Sequence, residues 1–320
     1  MMNIQYNTSI RERYLKDFIV KDAQFGKVLG SSYTFIYLVD GILFDSGVSA
    51  WAYLLCQKLK NIEWDKKLFL THSHYDHLGG VGVILSFFND TVIYGSERIN
   101  KVLNSQNALK TISEFDLLDS QEVLKFHNIP EVGFSCFELS VPISFSEGQR
   151  SLLIEGVEAI NTPGHTKDTI SYYIASYNCL VMSESMGVPN YKFNFVLPEF
   201  LTSYTLYVES FKYLKGLVLN KKINNFLLPH IMYFEYFSDV VDFIRLSEES
   251  LKLYVSVILE FLNKVGVYKG LDEEVLESKF REVFTMMVDR FYVKYELSQP
   301  IHAFEANVTA QIKNVFKELV

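Results

Sequence analysis

Cysteine is scarce in this chain of 320 residues. The three present, Cys56, Cys136 and Cys179, are odd in number and far apart, with no CxxC pair. That excludes a zinc knuckle or a redox couple and suits a reducing compartment. No stretch offers the ~18 uncharged apolar residues that a membrane span requires. The opening "MMNIQYNTSIRERYLKDFIV" lacks the continuous apolar core of a signal peptide. The expectation is a cytoplasmic protein with no membrane partner. Positive charge is also short: 30 Lys and Arg stand against 38 Asp and Glu, a formal charge of -8, which argues against nucleic acid as a partner. The serine-esterase element GxSxG is missing. So are Ser/Gly/Pro-rich linkers, short repeats and low-complexity tracts.

What is present suits a globular protein with a substantial core: 49% hydrophobic and 21% charged residues, with 26 Phe and 20 Tyr. Such aromatic richness suits an apolar pocket as well as a core. "SSYTFIYLVDGILFDSG", from Ser31, reads as two apolar strands joined by Asp40-Gly41, a two-residue turn that tolerates positive φ. Ser49 to Lys60 reads as a helix, and "KKLFLT" as a short buried strand that delivers the chain into "THSHYDHLGG". "LGGVGVILSFF" continues as helix, "TVIYGS" as strand, and Ser96 to about His127 is largely helical. A second β-rich half follows in "SLLIEGVEAINTPGH", "TISYYIAS" and "NCLVMSES", the last two joined across Ser176-Tyr177-Asn178. Helix is expected over Glu199 to Lys215, then a strand in "INNFLLPH" that ends at His230. After Ser238 long amphipathic helices take over, with Gly266 and Gly270 as stops and Asp272 as an N-cap. The expected organisation is a domain over 1–237 and a helical C-terminal extension over 238–320, packed on the core. The stripe Leu276, Phe280, Val283, Phe284 and Met287 predicts core packing, with a homodimer or protein-partner face as the alternative.

Histidine is rare too, seven in all, yet three of them and an aspartate fall within six consecutive positions, His72 to His77. His72 and His74 lie two apart, so in an extended chain they project to one side and can share one metal. His165, closing "NTPGH", would complete a three-histidine set. Asp76 and His77 belong to the following turn, where they can address a second ion with His230, which closes "LLPH". Loops at strand ends bring such distant residues together on a rigid scaffold, and imidazole is the commonest transition-metal ligand near neutral pH. A carboxylate bridging two ions is best supplied by Glu184 in "VMSESMG", where an apolar strand gives way to polar residues. His127 and His302 show no such context and read as structural or surface residues.

"THSHYDHLGG", "TPGHT" and "LLPH", in that order and in these strand contexts, resemble the metallo-β-lactamase superfamily. The resemblance covers roughly residues 25 to 235 and implies an α/β fold, an αββα sandwich with a dinuclear metal centre along one edge of its sheets. By carry-over His72, His74 and His165 correspond to the first metal site, and Asp76, His77 and His230 to the second. Two departures stand out. The family usually bridges its metals with an aspartate in a "GD" pair, where this chain has Ser183-Glu184, and the last ligand usually follows Pro-Gly, whereas Pro229 precedes His230 directly. The extra methylene of Glu184 changes its reach. Within the superfamily, "GHTKDTISYY" with a helical extension is most similar to the bacterial quinolone-signal response thioesterases, which use an iron pair. Asp45 in "LFDSG" resembles the family's buried acid behind the metal loop, where it would orient a ligand imidazole, a plain turn acid being the alternative. Asp168 is expected in a similar supporting role, against an exposed loop charge. Tyr75 inside the motif, and the run Tyr191, Phe193 and Phe195 with the helix after Glu199 and "MYFEYF", can wall a substrate pocket or simply pack.

The expected chemistry is hydrolysis of an ester or thioester of a small acyl substrate by a hydroxide held between two divalent ions, with Asp76 orienting it or taking its proton. All-histidine and carboxylate ligands suit zinc, iron and manganese alike. The first alternative is phosphodiester cleavage on the same centre. The second is a catalytically weak regulatory protein that acts through its helical tail.

Overall fold

Alternate residues of the segment 35–39 face opposite ways. Phe35, Tyr37 and Val39 join one apolar cluster, and Ile36 and Leu38 join another. A strand buried on both faces must lie inside a layered structure, and the computed structural model, which describes residues 8–190 and 194–320, is built that way. The first sheet has seven strands hydrogen-bonded in chain order: β1 (Ile19–Ala23), β2 (Gly26–Gly30), β3 (Phe35–Val39), β4 (Ile42–Phe44), β5 (Lys67–Phe69), β6 (Val92–Ser96) and β7 (Val141–Ile143). The β1–β2–β3–β4 meander is antiparallel, and β4 through β7 run parallel. Asp40 (φ 52°) and Gly41 (φ 77°) turn the β3–β4 hairpin as the sequence predicts. The β1–β2 hairpin lies beyond the sequence expectation: its short β1, "IVKDA", is exposed over its three central residues as befits an edge strand and shows no strict alternation.

Helices α1 (Thr8–Lys16), α2 (Ser49–Leu59), α3 (Tyr75–Leu78), α4 (Val81–Phe87), α5 (Glu97–Leu103) and α6 (Gln106–Leu124) belong to this half. Trp51, Leu55, Val81, Ile84, Ile112 and Val123 from these helices cover the outer face of the sheet. The second sheet has the order β15-β14-β11-β10-β9-β8 and contains β8 (Ser151–Ile154), β9 (Val157–Asn161), β10 (Ile170–Ile174), β11 (Cys179–Val181), β14 (Asn225–Leu227) and β15 (Tyr233–Phe234). A separate ribbon pairs β12 (Val188–Asn190) with β13 (Phe195–Leu197). Between the two sheets Phe44, Phe69 and Tyr94 of the first meet Ile170, Tyr172 and Val181 of the second. Residues one position out of phase, Tyr173 and Leu180, face outward onto α7 (Tyr204–Lys221) and the start of α8 (Phe237–Lys264). The layers are therefore helix, sheet, sheet, helix.

The expected helix start at Glu199 is corrected to Tyr204. Ser203 caps it by accepting a hydrogen bond from Leu206 N. The segment before it cannot join, because the N–H groups of Leu201, Thr202 and Ser203 donate to the carbonyls of Gly164 and His165 instead of to a helical ladder. Beyond α8 come α9 (Glu273–Met287), capped by Asp272, a π-helical turn (Val288–Val293) and α10 (Ile301–Leu319). Phe280, Val283 and Met287, with Leu276 and Phe284 at the margin, point into a cluster shared with α8, α10 and β13, so this stripe packs inward. No described helix is long and apolar enough to cross a membrane.

Candidate metal centre

The motif residues follow the carboxyl ends of their strands: His72, His74, Asp76 and His77 after β5, His165 after β9, Glu184 after β11 and His230 after β14. Residues separated by more than 150 positions thus meet at one edge of the sandwich. Three sets have ligand atoms within 4.8 Å of one another: His72, His74 and His165; His72, His77 and Glu184; Asp76, His77 and His230. Glu184 lies between the sets. Its Oε1 is 2.8 Å from His77 Nε2 and 3.0 Å from His230 Nε2, while its Oε2 is 3.6 Å from His72 Nε2 and 3.4 Å from His165 Nε2. Asp76 Oδ2 lies 3.6 Å from His230 Nε2 and 3.8 Å from His77 Nε2.

Four of the five imidazoles have their outward nitrogen tied to an acceptor. His165 Nδ1 donates to the carbonyl of Glu199 at 2.6 Å, and His77 Nδ1 to Asp45 Oδ2 at 2.8 Å. His72 Nδ1 is 3.0 Å from Thr71 Oγ1, whose own hydroxyl donates to Asp45 Oδ2 at 2.8 Å. His230 Nδ1 donates to the carbonyl of Tyr33. A carbonyl can only accept, so the proton sits on the outward nitrogen and the Nε2 lone pair points into the site. The lone pairs of His72 and His165 then confront each other at 3.2 Å. His74 Nδ1 adds a third donor atom, 3.1 Å from His165 Nε2. Two such acceptors repel unless a cation stands between them. Glu184 Oε2 and His77 Nε2 are also buried without hydrogen-bond partners. The residues present fit a pair of divalent ions.

Electrostatics make the same demand. Burial pushes His72 well down and His165 down to about 4, so both favour the neutral, ligating form. At His77 burial is outweighed by the charges of Glu184, Asp76 and Asp45, which raise it well above its ordinary value. Negative charge concentrated there calls for a positive one, proton or metal. Burial of Glu184 is likewise outweighed by His77, His72 and His165, which hold its carboxyl well below the usual range.

Asp45 sits behind the loop as the resemblance implies, accepting from Thr71 N (2.8 Å) as well as from His77 and Thr71 Oγ1. Asp168 is buried nearby. Its Oδ2 has no hydrogen-bond partner, and its charge bears on His74. Tyr75 borders the cavity in front of the site, and its hydroxyl donates to Asp119 at 3.0 Å. Phe195 is corrected from pocket wall to core: its ring stacks on Tyr295 (4.4 Å) and Phe291 (5.5 Å), because its face of β13 turns to the tail helices. Tyr191 and Phe193 lie outside the described residues. In "MYFEYF", Phe234 packs on Phe226 and Phe243, and Tyr233 on Phe25, Phe35 and Tyr37, away from the cavity. His127 bonds Leu15 O, and His302 stands 3.9 Å from Asp119.

Sequence reasoning missed Thr71, Tyr33 and Glu199. Backbone carbonyls leave no residue signature, and only Thr71 stands inside a visible motif. Two glycines are required by close approach. A Cβ on Gly164 (φ +133°) would sit 2.3 Å from the Tyr207 backbone, and one on Gly80 2.3 Å from Ala52 Cβ.

A model of the metallo-beta-lactamase superfamily matches residues 30–218. A hydroxyacylglutathione hydrolase from Buchnera aphidicola is 25% identical over 154 residues, 47% of this chain and 46% of that protein. The chain thus spans under half the length of the curated relative it matches. Among solved structures, a metallo-beta-lactamase family protein from Thermus thermophilus aligns with a TM-score of 0.55 at 14% identity, covering 94% of this chain and 92% of its own. A metallo-beta-lactamase with a HARLDQ motif from Cronobacter sakazakii aligns with a TM-score of 0.53 at 16% identity, covering 77% and 98%. At those identities the likeness is one of fold. With the family model covering more than half the chain, this protein belongs to the metallo-β-lactamase superfamily.

Proposed function

We propose that this protein is a metal-dependent hydrolase that cleaves an ester or thioester of a small acyl substrate. The observation that carries the reading is Glu184, whose two oxygens reach the histidines of both sets at the floor of a cavity of about 310 Å³. Two divalent ions, zinc, iron or manganese by donor chemistry, would act there as Lewis acids and acidify a water. His72, His74 and His165 would hold one, Asp76, His77 and His230 the other, with Glu184 between them. Asp76 lies on the cavity wall and would orient the attacking water or take up its proton. A thiolate leaving group needs little help from an acid. The Buchnera relative is, by its name, a hydrolase of an acylglutathione, a thioester.

The cavity narrows the substrate further. Tyr14, Phe115, Val188, Leu197 and Leu297 give it apolar walls, and among its described lining residues there is no Lys or Arg. Glu296 adds a carboxylate, while burial pushes the Glu199 carboxyl well above the usual carboxylate range. An uncharged acyl group suits such walls. The tail's apolar stripe packs inward, so that stripe does not offer the partner-binding face that the regulatory reading would use.

The test is to purify the protein without added metal, determine metal content by elemental analysis and assay matched thioester, ester and bis-aryl phosphate substrates. The expected result is about two ions per chain and preferential thioester or ester turnover, with both metal content and turnover lost in His74→Ala. An undiminished His74→Ala rate, or turnover of the phosphate alone, overturns the reading.

A further inference from the structure

His165 is carried by the turn Pro163-Gly164-His165, and that turn rests on the segment 198–203. Glu199 O receives the His165 Nδ1 proton, while Leu201 N donates to both Gly164 O (3.1 Å) and His165 O (3.2 Å). The far side of the segment is gripped by α10. Four polar side chains interrupt the apolar face of that helix at positions 307, 311, 314 and 318, a spacing of four, three and four that aligns them in one row. Asn307 Nδ2 donates to Glu199 Oε2 at 2.9 Å, Gln311 Nε2 to Pro198 O at 2.6 Å and Asn314 Nδ2 to Leu201 O at 2.8 Å. Glu318 Oε2 accepts from Thr205 N (2.8 Å) and Thr205 Oγ1 (2.7 Å).

Gln311 is the telling member. It is only 1% exposed, and its Oε1 accepts from the Tyr254 hydroxyl at 2.7 Å. A buried amide is unfavourable unless its hydrogen bonds are made, and an apolar side chain would pack the same site without that requirement. Apolar packing tolerates sliding between elements. Three directed hydrogen bonds to consecutive parts of one short segment do not.

We propose that Asn307, Gln311 and Asn314 are positioning residues for the metal centre. They fix the backbone of 198–201, therefore the Glu199 carbonyl, and therefore the ring orientation of His165. The inference rests on the reading of His165 as a metal ligand. It makes the helical tail a working part of the site, and it assigns the tail's influence to the ion held by His72, His74 and His165 rather than to the one held by Asp76, His77 and His230. A latch that merely kept α10 docked would affect folding alone.

The test is a cobalt(II) titration of metal-free, full-length protein, read by visible absorption and by elemental analysis after desalting. Gln311→Met, Asn314→Ala and their combination should bind one of the two ions about 10–100-fold more weakly and leave the other unchanged. Val315→Ala, a cavity variant inside the same helix, should lower the melting temperature and keep both wild-type affinities. Clamp variants that melt lower yet bind both ions as tightly as wild type overturn the proposal. Should the combination fail to fold, Asn307→Ala, at a half-buried position, serves in its place under the same criteria. A wild-type protein that takes up no metal would sink the proposed function instead. The clamp would then be read by NMR from solvent exchange of the His165 Nδ1 proton, which must be faster in the variants; unchanged exchange overturns it.

Discussion

The two sides of the proposed metal centre are built in different ways. On one side His72, His74, Asp76 and His77 come from a single loop, and their support is local and charged: Asp45 ties His77 and Thr71 together, and Thr71 in turn meets His72. On the other, His165 and His230 arrive from separate loops and lean on neutral main-chain carbonyls, those of Glu199 and Tyr33. A carboxylate behind an imidazole makes it a stronger donor to a metal as well as fixing its tautomer, whereas a carbonyl mainly fixes it. The contrast teaches that the first side is tuned by chemistry and the second by the accuracy with which distant segments are held.

The comparison breaks most completely at Glu184, whose two oxygens approach histidines from both sides. Glu184→Ala should remove bound metal from both sets and reduce turnover to the limit of detection. A variant that keeps two ions by elemental analysis would show that the histidines suffice. Asp45→Ala should weaken metal binding by about 10–100-fold through His77. It should also destabilise the metal-free fold, since Thr71 N and Oγ1 lose a buried acceptor together. Equal metal affinity in wild type and variant, measured by competition with a chromophoric chelator, would contradict the charged-support argument.

The smallest effect lies behind the contiguous loop. Burial raises Asp116 to about 6 despite hydrogen bonds from Ser49 N and Oγ. The folded protein therefore holds this proton more tightly than the unfolded chain. The contribution of Asp116 falls as pH rises from about 4 to about 6 and is then constant, a loss of at most about 3 kcal/mol. An amide at this position can still accept from Ser49 N and donate to Ser49 Oγ, which is free to donate to Gly79 O. Asp116→Asn should thus melt higher than wild type at pH 7, with the gap closing towards pH 4. Melting curves at both pH values would reject this if the gap stayed constant.

The difference between the two sides also explains what the sequence disclosed. His72 to His77 is legible because ligands and their spacing are contiguous, whereas Asp45 was nominated only through its resemblance to the family's buried acid. His165, Glu184 and His230 could be nominated because each follows an apolar strand. Their convergence, and the sandwich itself, came through resemblance to a family and not through periodicity. Glu199 was invisible: its surroundings read as the start of a helix, and its role is split between a carbonyl, which any residue possesses, and a carboxyl answered by side chains 100 or more positions away. The amide row of α10 did leave a signal, polar residues at helical spacing on an otherwise apolar face, but its meaning depended on what lay opposite. Phe195 misled because aromatic residues fill cores as readily as they line cavities.

The Tyr33 carbonyl that holds His230 lies 197 positions before it in the chain, and Phe35 N donating to Pro229 O staples the same two loops. Contacts of such separation form after local helices and hairpins, once the entropy of closing a long loop has been overcome. On that ordering the proposed metal cage would close after the local elements, and an ion would enter a nearly finished protein instead of nucleating it. Conversely, opening this staple alone would release His230 from its support, so loss of an ion from the proposed centre is expected to precede global denaturation.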